Sequence, residues 1–148
     1  MKIKLSIVMV LAACAAVLAA TSLRSSAVTP AGNAALVARG KYLVTRVGMC
    51  GDCHTPMSPT GQLDQQHWLQ GSTLMFKPTV PVPGWAAVAP DIAGLPAGWS
   101  RADMVKFLQT GTMPQGAHAN PPMPQLRLSH RDAVAVAAYL ASLPSGRK

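Results

Sequence analysis

The sequence predicts a mainly α fold: one small domain of three to four helices, with long loops wrapped around a single large prosthetic group and an apolar helix or leader in front. Three observations predict it. Cys50-Gly51-Asp52-Cys53-His54 has the C-x-x-C-H spacing of covalent haem attachment. Two later runs open with capping residues and carry apolar side chains at helical period. Between the cysteine motif and those runs, residues 57–99 are rich in proline and keep no helical period. A loop that long is unusual unless it packs on something other than itself, such as an apolar plate.

The motif's spacing is chemically specific. Each thiol adds to one vinyl group of the porphyrin, and the next side chain then lies beneath the iron. An imidazole there binds through one ring nitrogen and leaves the other for a hydrogen bond. Besides chance, two readings compete. A zinc site takes about four ligands, but no third cysteine exists beyond Cys14, and His67, His118 and His130 are scattered. A thioredoxin-like dithiol would follow a strand, whereas a helix-like run precedes Cys50. The motif occurs once, so the reading is one haem c held through Cys50 and Cys53. These residues resemble the small mono-haem c-type cytochromes of class I. The resemblance implies a small cytochrome c fold, with His54 as proximal iron ligand.

Taken from the N-terminus, Lys2 and Lys4 precede an uncharged run over residues 5–23, and Arg24-Ser25-Ser26-Ala27 follows. Residues 1–27 therefore read as a signal peptide or an N-terminal membrane anchor, and 28–148 as the haem domain. Leu11-Ala12-Ala13-Cys14 also looks like a lipoprotein box, which would make Cys14 a lipid attachment point. All three fates deliver the domain to the periplasmic side of the cytoplasmic membrane. Without Lys2, Lys4 and Arg24, ten basic residues against five aspartates give +5 in place of +8. The basic residues are dispersed and not interleaved with aromatics, which argues against nucleic acid. A modest basic surface suits redox donors and acceptors with acidic docking faces, or an anionic membrane.

Asn33 is a candidate N-cap for a first helix whose buried face carries Leu36, Gly40, Leu43, Val44 and Val47, with Gly48 as its end. In class I cytochromes a glycine and an aromatic residue mark where the first and last helices cross, and Gly40-Lys41-Tyr42 is similar to that pattern. Within the long loop, the resemblance implies a haem-propionate donor at Trp68 or Trp85; plain core packing competes for each. Ser100-Arg101-Ala102-Asp103 has capping-box spacing and opens a helix that buries Met104, Phe107 and Leu108 and ends at Gly111. Ser129 to Asp132 repeats the device. Its helix stripes Ala133, Val136, Ala137 and Leu140 and stops before Pro144, with Tyr139 available to meet Gly40.

The sixth iron position separates electron transfer from ligand chemistry. Asn120-Pro121-Pro122-Met123-Pro124-Gln125 is a stiff loop just ahead of the last helix, where class I cytochromes carry their distal methionine, and Met123 is the expected ligand. Met113 and His118 are rivals in the same loop, and an open site is the remaining alternative.

A wider likeness joins Gly40 to Leu43, Cys53-His54-Thr55, Ala89-Pro90-Asp91-Ile92, Gly98 to Asp103, and Met123-Pro124 in that order. It resembles one haem module of the cytochrome c subunits of membrane-bound alcohol and gluconate dehydrogenases. The implied function is one-electron transfer in a periplasmic or membrane-linked redox chain. Arg46 and Arg127 would steer an acidic partner, or Arg127 would pair with a propionate. Competing readings are a haem-bearing structural subunit of a larger complex and a peroxidase or gas-binding haem with a displaceable sixth ligand.

Overall fold

The computed structural model describes residues 30–147. Its elements are α1 (Pro30–Tyr42), a π-helical turn (Leu43–Val47), the short α2 (Gly51–His54), a 3-10 turn (Gln65–His67), β1 (Ser72–Thr73), β2 (Val88–Ala89), α3 (Arg101–Thr110) and α4 (His130–Ser142). The leader or anchor expected over residues 1–27, Cys14 included, lies outside the described residues. Among the described residues no helix is long and apolar enough to cross a membrane.

Helix α1 is described from Pro30 and already includes Asn33, the expected cap, because capping chemistry acts only where the backbone before it leaves the helix. At its far end α1 widens. The Gly48 N–H reaches the Leu43 carbonyl at 2.7 Å, and the Cys50 N–H reaches that of Val44 at 3.1 Å. The wider π turn rotates Val47, expected on the buried face, out to 54% exposure. Leu43 and Val44 stay buried, and the chain passes through Met49 at φ 47° into α2.

Helix α4 crosses α1 at Gly40. A Cβ there would run into the Ala135 carbonyl and stand 2.7 Å from the Tyr139 Cβ, so only glycine permits the approach. One turn from the crossing, Arg39 donates through Nε and Nη2 to Asp132 Oδ1 at 3.2 and 3.1 Å. Both late helices start as their sequences require. Ser100 Oγ accepts the Asp103 N–H at 3.1 Å while Asp103 Oδ2 accepts the Ser100 N–H at 2.9 Å. Ser129 Oγ accepts the Asp132 N–H at 3.2 Å. Helix α3 buries Met104, Phe107 and Leu108, and α4 buries Ala133, Val136, Ala137 and Leu140 along with Tyr139.

These caps make an acid-stability prediction. The Ser100 hydroxyl and backbone hold the Asp103 carboxyl below its usual range, and Arg39 does the same for Asp132. A lowered native pKa means the unfolded chain binds protons first as pH falls. The stability that the two carboxylates contribute is present above the ordinary carboxylate pKa of about 3.9 and disappears as pH drops through their native values. Urea midpoints measured between neutral pH and about pH 3 should fall less steeply for Asp132→Asn than for the parent chain.

Apart from the 3-10 turn and an isolated Met57↔Leu63 bridge, the long loop holds one two-pair antiparallel ladder, Ser72↔Ala89 and Thr73↔Val88. Its anchor is Leu69, which is 0% exposed and has φ 61°. The Leu69 N–H donates to Thr55 Oγ1 at 3.0 Å, and its carbonyl accepts the Ile92 and Ala93 N–H groups at 3.0 and 3.2 Å. Gly71 N–H in turn donates to the His54 carbonyl at 2.8 Å. These bonds draw the segment around Pro90 onto the C-terminal end of α2.

Candidate functional site

Helix α2 is a single turn, so Cys50 at its start and Cys53 within it lie three residues apart on one face. Both thiols are free and half-buried. Burial pushes the Cys50 thiol up, outweighing its own backbone hydrogen bond, with the neighbouring Cys53 and Asp52 adding to the rise. At neutral pH Cys50 is therefore a neutral thiol in a largely apolar setting.

His54 closes α2 and is 6% exposed. Its Nδ1 lies 2.8 Å from the Pro90 carbonyl, and a carbonyl only accepts, so Nδ1 carries the proton. That fixes the tautomer and leaves the Nε2 lone pair free. Burial pushes the imidazole pKa down, with the Pro90 bond opposing, so the ring is neutral at pH 7. Among the described residues Nε2 has no hydrogen-bond partner, while the ring as a whole is buried. A neutral imidazole with one nitrogen held by a carbonyl and the other free is the form that binds a metal. Two thiols on one face and that imidazole at the end of the same turn fit a haem c. Among the described residues no three His, Cys, Asp or Glu side chains gather as a metal cluster.

The distal loop runs between α3 and α4. Met123 is half-buried and packs against the hydrophobic core, as do Cys50 and Trp68. Its N–H donates to the Asn120 carbonyl at 3.1 Å, and the Leu128 N–H pins the loop to the Leu108 carbonyl at 3.0 Å. The rivals have polar contacts of their own, although Met113 packs against the same core as Met123. Gln115 Nε2 lies 3.5 Å from the Met113 sulfur, and the exposed His118 donates from Nδ1 to the Gly111 carbonyl at 3.0 Å. The Met123 sulfur has no such partner among the described residues.

The remaining candidates separate. The Trp68 indole N–H donates to the Tyr139 hydroxyl at 3.0 Å, so its donor is turned to α4 and its ring is packed in the core. Trp85 is half-buried and meets Phe76 edge to face at 5.7 Å, in the loop before β2. Arg127 is exposed, ahead of α4. Three contributors are missed by sequence reasoning about site chemistry: the Pro90 carbonyl, the Thr55 hydroxyl and the Tyr139 hydroxyl. Pro90 and Thr55 fall in stretches that carry the family likeness, but a backbone acceptor leaves no side-chain signal.

A family model described as cytochrome c matches residues 37–144. A diheme cytochrome c-type protein of Cereibacter sphaeroides is 33% identical over 112 residues, covering 72% of this chain and 35% of that protein. The gluconate 2-dehydrogenase cytochrome c subunit of Pantoea cypripedii is 36% identical over 121 residues, covering 73% of this chain and 26% of the relative. The cytochrome c subunit of alcohol dehydrogenase (quinone) from Gluconobacter oxydans is 32% identical over 119 residues, with 74% and 24% covered. The chain thus spans between 24% and 35% of the length of these three relatives.

Proposed function

Because the chain belongs to the cytochrome c family, we propose that it is a one-electron carrier holding one haem c, tethered by Cys50 and Cys53 and ligated by His54 and Met123. When bound, the haem supplies an iron centre that changes oxidation state by one electron. The observation that carries the reading is the His54 ring, neutral, with Nδ1 fixed on Pro90 and Nε2 left for a metal. Cys50 and Cys53 would hold the group by thioethers, and the Pro90 carbonyl keeps His54 from rotating. Met123, on a proline-stiffened loop pinned to α3, presents its thioether without a large loss of conformational freedom. If His54 and Met123 both bound the iron, no position on it would be left for substrate, which fits an electron carrier that does not itself catalyse. A thioether ligand favours the reduced state and a positive potential.

The relatives that are cytochrome c subunits of gluconate and alcohol dehydrogenases favour a dehydrogenase-type electron donor. Exposed Arg46 and Arg127 would steer a partner with an acidic docking face. The domain at 28–148 would work on the periplasmic side, delivered by residues 1–27 as signal or anchor; the mass of the mature N-terminus distinguishes the two.

Met123→Ala tests the ligand set. The expected result is loss of the low-spin ferric spectrum and its sulfur-to-iron band, with immediate carbon monoxide binding on reduction. Met113→Ala and His118→Ala should leave all three unchanged. A low-spin spectrum that survives Met123→Ala overturns the assignment.

A further inference from the structure

We propose that Trp68 and Tyr139 are a positioning pair that holds the 50–54 turn in place and closes it off from an open groove. The inference rests on the reading that this turn carries the haem. The far edge of the Trp68 ring lies directly on Gly51, between the two cysteines, where a Cβ would overlap Cη2 and Cζ3. At its other end the indole N–H donates to the Tyr139 hydroxyl at 3.0 Å. The Tyr139 Cβ in turn packs against Gly40 at the helix crossing. One line of contacts therefore runs Gly40, Tyr139, Trp68, Gly51, joining the α1–α4 crossing to the attachment turn. Trp68 and Tyr139 also line an open groove of about 530 Å³, together with Lys41, Gln65, Gln66 and Gln70. The indole is thus the partition between groove water and α2. Its hydrogen bond fixes the partition's tilt, because an indole N–H has a single donor direction.

The pair has consequences beyond stability. Tyr139→Phe keeps the ring that packs on Gly40 and removes only the acceptor, so the indole loosens and water reaches the turn. Water near the haem favours its more highly charged oxidised state. In the holoprotein, Tyr139→Phe should lower the midpoint potential and speed hydrogen exchange at the hydrogen-bonded Asp52, His54 and Thr55 amides by roughly tenfold. Trp68→Phe should do the same, and the double variant should be no worse than either single one. Ser100→Ala, which weakens the distant α3 cap, is the control for destabilisation alone. The proposal is overturned if Tyr139→Phe matches Ser100→Ala in both readouts, or if the two substitutions add. Haem content by mass reports separately on the function reading, and the amide exchange tests the pair whichever way that measurement falls.

Discussion

Gly40→Val is expected to be the most damaging single substitution in the helical frame. The branched side chain would enter space held by the Ala135 carbonyl and the Tyr139 Cβ. Neither can move aside as a flexible side chain would, since one is backbone and the other is the root of a buried ring. The helices must separate, which opens the contact between α1 and α4 and pulls Tyr139 from Trp68. Overpacking of this kind costs about 3 kcal/mol or more, a large part of the roughly 5–15 kcal/mol that holds a domain of this size. Denaturant unfolding of the holoprotein, followed by haem absorbance and far-ultraviolet dichroism, should show a much lower midpoint or no folded protein. Ala38→Val, on the exposed side of the same helix, should cost only the propensity difference of about 0.6 kcal/mol. Equal effects at the two positions would mean that the crossing is not as tight as described.

Replacing both Cys50 and Cys53 by serine is expected to cost the fold itself. Of the sixteen buried hydrophobic residues among those described, six are alanine, whose methyl group buries little area. The long loop contributes only Leu69, Ala89, Ala93 and Leu95 to that set, while Met75, Phe76, Val80 and Val88 remain exposed. A domain with so thin a core among its described residues would rely on a bound group for stability. The double serine variant, unable to hold haem by thioethers, should lose most of its helical dichroism and cooperative unfolding at 25 °C. A haem-free double variant that melts cooperatively near the temperature of the parent would show that the polypeptide core suffices.

Legibility in the sequence followed the range of the interaction. The caps at Ser100 and Ser129 act within a single turn, so four residues specify each of them, and both stand where their spacing puts them. The helix crossing was readable because a close backbone approach excludes every side chain, which leaves glycine as its trace at position 40. Asn33 has capping chemistry but lies inside α1, since the residue type alone does not say where the backbone leaves the helix. The outward turn of Val47 was hidden because a π turn shifts the period by one residue with no change in composition. The two-pair β ladder is too short to have a period. The Trp68–Tyr139 bond joins residues 71 positions apart, and the Pro90 carbonyl that sets the His54 tautomer is backbone. Such partners are decided by tertiary packing.

The most direct measurement is the intact mass and visible spectrum of the purified mature protein after denaturation. The account predicts one tetrapyrrole per chain that survives unfolding and acid–acetone extraction, with the absorption bands of a thioether-linked haem. A polypeptide mass without the added group, or a pigment that extracts freely, would contradict it.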